Sequence, residues 1–383
     1  MEQMAATKSV PLSQSLNIWM VESFFSGSHK EWNLSYQKYT QHQITIFSLP
    51  GRHWKFRMQA SAYDLAKQLN ARSDKPDYII VSDMVNLAEL KGYLKPALQC
   101  IPTGLYMHEN QITYPWSPDD PDTHYRQDRT YGLINIKSYL AADEVYFNSL
   151  YHLESFQNEG KKFLAAFPDG ALLRAFLQQT PKASVLPIGL DLPAFRQKSS
   201  RDHAPPTILW NHRWEYDKDP ESFFRWIKVI KEDGYDFRLI VCGSKQKKYP
   251  PIFKETRQIF KQEIVHWGYA DSKKDYHQLL KASDITLVSS RQDFFGISVV
   301  EAIAAGAAPI LPYRLAYPAH LPVEYHKDFY YKNEADALQL LKSFVKHPPS
   351  LPADIDHHIR QYDWSKMRYL YDATFAEAAK KKV

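Results

Sequence analysis

A pair of doubly wound α/β domains facing a central cleft is the architecture this sequence predicts. Three observations lead there. The chain has 383 residues, beyond the length at which a single core usually stops growing, so two domains are expected. Short β-branched or aromatic runs alternate with helix-length amphipathic segments, the pattern of βαβ units and a parallel sheet. That rhythm breaks at the polar, proline-bearing stretch from Arg196 to Pro206 and then restarts, which marks a linker.

Taken in order, strands are expected at 16–22, 43–49, 77–82, 103–107, 144–148 and 184–188, with helices between them such as 61–69 and 149–158. After the linker, strands are expected at 207–211, 237–242, 264–267, 285–288 and 308–311. Asp219 or Pro220 opens the helix that follows the first of these. Residues 297–305 have helix propensity, with Gly306 as the C-cap. The boundaries are 1–200 for the first domain and 205–350 for the second.

Composition narrows the function classes. An apolar fraction of 44% with 14% aromatics suits two globular cores. Forty-eight basic against forty-three acidic side chains give +5, which permits a polyanionic partner without demanding one. Cys100 and Cys242 match no metal or redox spacing and read as core thiols of a reducing compartment. No run approaches the roughly 20 apolar residues of a membrane-spanning helix, and Ile18-Trp19-Met20-Val21 is too short for a signal peptide's core. A cytoplasmic chain without stable membrane insertion is therefore expected. The absence of a glycine-rich dinucleotide fingerprint or Walker loop argues against dehydrogenase and kinase readings. Asp120-Pro121-Asp122 follows no strand and reads as surface, so no metal is expected.

Open parallel sheets bind ligands at the carboxyl ends of their strands, and polar residues gather at those positions. Asp293 falls in a loop after a strand, and Glu301 one turn into the next helix. Between them Phe295, Gly296 and Ile297 offer backbone N–H groups at a helix N-terminus, a ready anion site. A diphosphate on those amides with hydroxyls at either end describes a nucleotide sugar; a capping acid with a solvated helix glutamate is the plainer alternative. Arg213 and Lys218 share the loop after the second domain's first strand, as a fork and a point charge for a diphosphate or as two surface cations. In the first domain, His108, Glu109, Asn110 and Gln111 follow a strand, four polar side chains that a polyhydroxylated ligand would satisfy. Gly27, Ser28 and His29 open a helix, either as a phosphate or acceptor contact or as a tight turn. Asn148 ends another strand, and Ser149 is a ligand contact or an N-cap. Arg52, Trp54, Lys55 and Arg57 interleave cations with aromatics, a composition that neutralises phosphates and stacks unpaired bases, or else a structural loop.

These residues resemble the retaining GT-B glycosyltransferases, whose second domain carries an Arg…Lys diphosphate clamp and an E-x7-E motif. Here the motif reads Asp293…Glu301, with the first acid one methylene shorter. Longer strings resemble one branch, the tRNA-queuosine α-mannosyltransferases: Glu22-Ser23-Phe24-Phe25-Ser26-Gly27-Ser28-His29-Lys30, His53-Trp54-Lys55-Phe56-Arg57, His108-Glu109-Asn110-Gln111-Ile112-Thr113-Tyr114-Pro115, Phe147 to Phe156, and Trp210-Asn211-His212-Arg213-Trp214-Glu215 onward. The resemblance spans about residues 16 to 320. It implies a GT-B fold with C-terminal helices, 351–383, crossing back onto the first domain. It implies retaining transfer of a hexose, mannose from GDP-mannose as co-substrate, onto queuosine in a tRNA anticodon loop, with no further cofactor. Asp293 would touch the sugar hydroxyls and Glu301 the ribose. His108 is the choice for contacting the transferred sugar and Glu109 for positioning or deprotonating the acceptor hydroxyl, although the departing phosphate can replace a side-chain base. A lipid-linked or polysaccharide acceptor would share every donor residue, and a catalytically silent RNA-binding protein is the alternative of another class.

Overall fold

The computed structural model of the chain describes residues 15–117, 120, 129–178, 182–194, 205–244 and 249–381. Most of the expected linker and the Pro121-Asp122 pair fall outside them. Two compact units emerge, one from residues up to Asp191 together with those from Tyr362 onward, the other from Leu192 to Gln361.

The first unit runs β1 (Asn17–Phe25), α1 (Gly27–Tyr39), β2 (Gln43–Pro50), α2 (Trp54–Asn70), β3 (Tyr78–Ser82), α3 (Leu87–Tyr93), α4 (Pro96–Gln99), β4 (Thr103–Met107), α5 (Thr130–Ala141), β5 (Glu144–Phe147), α6 (Leu150–Ala165), α7 (Ala171–Gln178) and β6 (Ala183–Val185). Its six strands pair in parallel in the order β2-β1-β3-β4-β5-β6. Strands β3 and β4 are buried along their whole length, as apolar runs covered on both faces must be. The order reverses between β1 and β3, so their carboxyl ends flank a topological switch point.

The second unit runs β7 (Thr207–Trp210), α8 (Pro220–Glu232), β8 (Arg238–Cys242), α9 (Ile252–Ile259), β9 (Ile264–Gly268), α10 (Lys273–Ala282), β10 (Ile285–Leu287), α11 (Ile297–Ala304), β11 (Ala308–Pro312), α12 (His326–Phe329), β12 (Tyr330–Tyr331), α13 (Glu334–Lys346) and α14 (Ala353–Ile359). Its parallel sheet has the order β12-β11-β10-β7-β8-β9. Here the switch point lies between β7 and β10, two short strands whose following loops carry Arg213 and Asp293. Asp219 caps α8 in a left-handed conformation (φ 50°) and accepts from the Ser222 amide, with Pro220 at the first helical position. Helix α11 ends in a Schellman motif: the Gly306 amide donates to Ile303, the Ala307 amide to Ala302, and Gly306 takes φ 98°.

The chain then returns to the first unit as α15 (Trp364–Lys380). The return comes at Tyr362 rather than at the expected 351, because α14 packs against α11 and stays with the second unit. Helix α15 is fixed to α1 by polar groups inside the core. The Asp372 carboxylate accepts from the Tyr36 hydroxyl (2.8 Å), the Thr40 hydroxyl and the Gln41 amide. The Tyr371 hydroxyl accepts from the Trp32 indole (3.1 Å) and donates to the Pro187 carbonyl (2.9 Å). Trp364 is buried against Tyr36 and Tyr371, and a Cβ at Gly189 would collide with its ring.

Cys242 is buried as expected, but Cys100 is exposed, because it terminates the short helix α4 at the surface. Among the described residues, no helix is long and apolar enough to cross a membrane. Trp364→Ala should cost about 3–5 kcal/mol of stability, the usual range for emptying a buried indole site. Gly189→Ala should lower the same transition by overpacking, both read as urea-unfolding midpoints.

Candidate active site

In the second unit the loops after β7 and β10 are joined by a buried ammonium. Lys218 closes a short 3-10 turn and donates to the Gln292 carbonyl at 2.7 Å, while its Nζ lies 3.1 Å from Asp217 and 3.3 Å from Asp293. Burial pulls the pKa of this lysine down, but Asp293 and Asp217 outweigh it and the net shift is upward. Asp293 is held from the other side by the Tyr317 hydroxyl at 2.7 Å. Burial would raise its pKa; the Lys218 ammonium reverses that, so it stays ionised. Gly296 caps α11 with φ 90°, a conformation that glycine adopts without strain. The first amides of α11 have no intrahelical partners. Glu301, in the second turn of the helix, accepts from the Tyr276 hydroxyl at 2.8 Å, and Asn211 donates to that same hydroxyl at 3.1 Å. Arg213 is exposed and 3.2 Å from Glu215.

In the first unit the carboxyl ends of β1, β3 and β4 bring together Glu22, Asp83 and His108, with His29 from the first turn of α1. The His29 Nδ1 lies 2.9 Å from a Glu22 oxygen, and its ring packs on His108 with centroids 4.3 Å apart. Burial lowers the His29 pKa, but Glu22, Asp83 and Glu109 carry it up to about 9. The imidazole is therefore protonated at neutral pH. His108 is the reverse: burial, then the charge of His29, holds it well below the usual range, and neither ring nitrogen has a partner among the described residues. Asp83, whose carboxyl is pushed up by burial, accepts from the His108 amide at 2.8 Å. Glu22, His29 and His108 offer ligand atoms within 4.8 Å of one another, the one group among the described residues that could hold a metal ion.

Residues 17–190 match the family of tRNA-queuosine alpha-mannosyltransferase N-terminal domains, and residues 191–348 match the glycosyl transferases group 1 family. A tRNA-queuosine alpha-mannosyltransferase of Drosophila melanogaster is 31% identical over 318 residues, covering 80% of this chain and 82% of that protein. The chain belongs to the tRNA-queuosine alpha-mannosyltransferase family. It is thus a glycosyltransferase with the GT-B fold. The fold is matched among solved structures by the catalytic domain of starch synthase IV from Arabidopsis thaliana (TM-score 0.68, 12% identity, covering 96% of this chain and 100% of that one). Sucrose-phosphate synthase from Thermosynechococcus elongatus is also similar (TM-score 0.66, 12% identity, 94% and 100%).

Within this mannosyltransferase-family chain, Lys218, Asp293 and Gly296 gather at the β7/β10 switch point, with Glu301 further along α11. Lys218 is not a surface cation, the plainer alternative for it, but a buried ammonium with three oxygen neighbours. Phe295 and Ile297 flank Gly296, and the Phe295 carbonyl accepts from the His320 ring at 2.6 Å. Asn110 and Asn148 are internal braces. The Asn110 side-chain oxygen accepts from the Ile112 and Thr113 amides, shaping the turn. Asn148 donates to the His108 carbonyl at 2.8 Å and bonds the His152 ring. Glu109 accepts from Gln111 at 2.8 Å. Gly27 (φ 52°) and Ser28 are exposed at the start of α1, and Ser149 is the N-cap of α6.

The basic aromatic stretch is not a loop. Trp54 opens α2, with His53 left-handed before it. Lys55 pairs with Asp120 at 2.7 Å and lies over the Trp54, Trp116 and Tyr131 rings, while Arg57 donates to the Pro50 carbonyl. Arg52, His53 and Phe56 are its exposed members. Sequence reasoning assigned no role to Glu22, Asp83, Tyr276 or Tyr317. Glu22 carried a signal, an acid on a strand otherwise apolar; Tyr276 and Tyr317 carried none, since their partners lie 25 and 24 residues away.

A histidine whose folded pKa is raised from 6.5 to about 9 gives stability that is fully present below pH 6.5 and lost as pH rises through 9. The raised carboxyl of Asp83 acts in the same direction. The His29 share of the unfolding free energy should therefore fall by about 3 kcal/mol between pH 6.5 and 9.5. Glu22→Gln should remove most of that slope in a pH series of urea melts.

Proposed function

We propose that this glycosyltransferase moves mannose from GDP-mannose, with retention, onto queuosine in the anticodon loop of tRNA, in the cytoplasm. The observation that carries the reading is a tRNA-queuosine-type N-terminal domain joined in one chain to the Lys218, Asp293 and Glu301 constellation. The name of the Drosophila relative supports the acceptor. The donor chemistry follows from the charges. As the glycosidic bond breaks, negative charge grows on the leaving diphosphate, and the Arg213 fork and the first amides of α11 are the groups suited to receive it. Lys218 contributes its charge while holding Asp293 in place. Asp293, one methylene shorter than glutamate, is steadied for the sugar hydroxyls by Tyr317 and Lys218. Glu301, oriented by Tyr276, is available to ribose hydroxyls. His108, kept neutral, serves as a hydrogen-bonding group to the sugar rather than as a cation. An oxygen of the departing phosphate takes the acceptor proton.

Incubation with a panel of sugar nucleotides and bulk tRNA, followed by mass analysis of nucleosides, tests this. A hexose added to queuosine from GDP-mannose is the expected result, unchanged by excess chelator. Transfer only to lipid-linked or polysaccharide acceptors would overturn the acceptor, and tRNA binding without any transfer would leave an RNA-binding protein. Loss in chelator that Mg²⁺ or Mn²⁺ restores would overturn the metal-free reading.

Arg213→Ala should lower kcat/KM by a factor equivalent to about 2–4 kcal/mol, with Arg213→Lys failing too, because a point charge cannot fork two oxygens. Rates near wild type in both would sink the donor assignment. On the acceptor side, Lys55 is already paired, which leaves Arg52 and Arg57. Replacing both by alanine should reduce the salt dependence of tRNA affinity by up to about two units and raise KM for tRNA. An unchanged slope would mean that the start of α2 is only structural.

A further inference from the structure

His212 lies in the loop after β7, one residue before Arg213. It is 4% exposed. Its Nδ1 is 3.0 Å from the hydroxyl of Ser298, the second residue of α11. The imidazole therefore lies against the N-terminal turn of α11, where unpaired amides concentrate positive potential. The other nitrogen, Nε2, is buried and has no hydrogen-bond partner among the described residues. An orphaned buried nitrogen is costly unless a ligand completes it.

The charged groups that act on this ring are Asp293, Lys218, Asp217 and Arg213. Both acids sit beside the Lys218 ammonium, at 3.3 and 3.1 Å, which offsets one of their two charges. The groups near the ring that favour an anion are the α11 terminus and the Arg213 guanidinium, itself 3.2 Å from Glu215. If the Ser298 hydroxyl donates to Nδ1, the single ring proton sits on Nε2, where it is a donor. Burial, before any other influence, pulls the His212 pKa down to about 4, so the ring is neutral and a fixed tautomer is meaningful at working pH.

We propose that His212 is a further donor-binding residue, whose Nε2–H, set by the Ser298 hydroxyl on Nδ1, hydrogen-bonds a phosphate oxygen of the nucleoside diphosphate. This rests on the reading of the β7/β10 switch point as the donor site. In the free chain Nε2 is covered, so binding includes a local side-chain move.

Calorimetric titration of the full chain with GDP, UDP and ADP, and with the matching nucleosides, tests the contact directly. For the diphosphate that binds wild type best, His212→Ala should weaken binding about 10- to 100-fold, the worth of one hydrogen bond to a charged group. Binding of the nucleoside should hold. His212→Gln, whose amide N–H can stand in for Nε2–H, should recover most of the affinity. Ser298→Ala should lose about 3- to 10-fold by freeing the tautomer. Diphosphate affinity equal to wild type in His212→Ala overturns the inference alone. Equal losses for diphosphate and nucleoside, uncorrected by glutamine, also overturn it, because they make the histidine a packing residue. A wild type that binds none of the diphosphates overturns the donor site and the inference with it.

Discussion

The second unit turns on the Lys218 ammonium. It ties the loop after β7 to the loop after β10, across the point where the order of the sheet reverses. Desolvating a cation is expensive, and here a carbonyl and two carboxylates offset the expense. Removing any one of them would take away an oxygen that solvates the buried ammonium, so the three positions are constrained together. The same bond pattern sets the direction of Asp293, which Tyr317 fixes from the opposite side. The carboxylate is thus built into the frame of the sheet. That rigidity is what preorganised electrostatic stabilisation requires.

The first unit solves a different problem. It gathers two histidines and two acids at the carboxyl edge of its sheet, all buried. Four such groups cannot all be charged at low dielectric. The structure divides them: His29 takes the proton with Glu22 as its partner, His108 remains neutral, and Asp83 is drawn toward its acid form. Two adjacent imidazoles thereby acquire opposite roles, one a fixed cation and the other a neutral hydrogen-bonding surface.

Much of the fold was legible because parallel strands buried on both faces leave continuous apolar runs between helical patterns. β3 and β4 are plain examples. Tyr330–Tyr331 escaped notice because two residues carry no period, and the start of α2 was missed because Trp54 to Arg57 lacks an apolar stripe. In the candidate site, Lys218, Asp293 and Glu301 could be found from spacing, since strand-end loops announce themselves in sequence. What spacing could not convey was the state of each group. Lys218 and Lys55 look alike as letters, yet one is enclosed by Asp217 and Asp293 and the other lies across a bed of aromatic rings. Asn148 braces the His108 carbonyl, 40 residues away, a partner that the sequence does not place, while Asn110 braces its own turn at Ile112 and Thr113.

Helix α15 carries a further consequence. The second unit is continuous in the chain, whereas the first depends on residues from both sides of it. During synthesis, then, the second unit can be whole before α15 is made. The first cannot, since Trp32, Tyr36 and Tyr106 lack their cover until Tyr371 and its neighbours emerge. The earlier-made half is the later-finished one, and its aromatic surface must wait exposed through the making of the other.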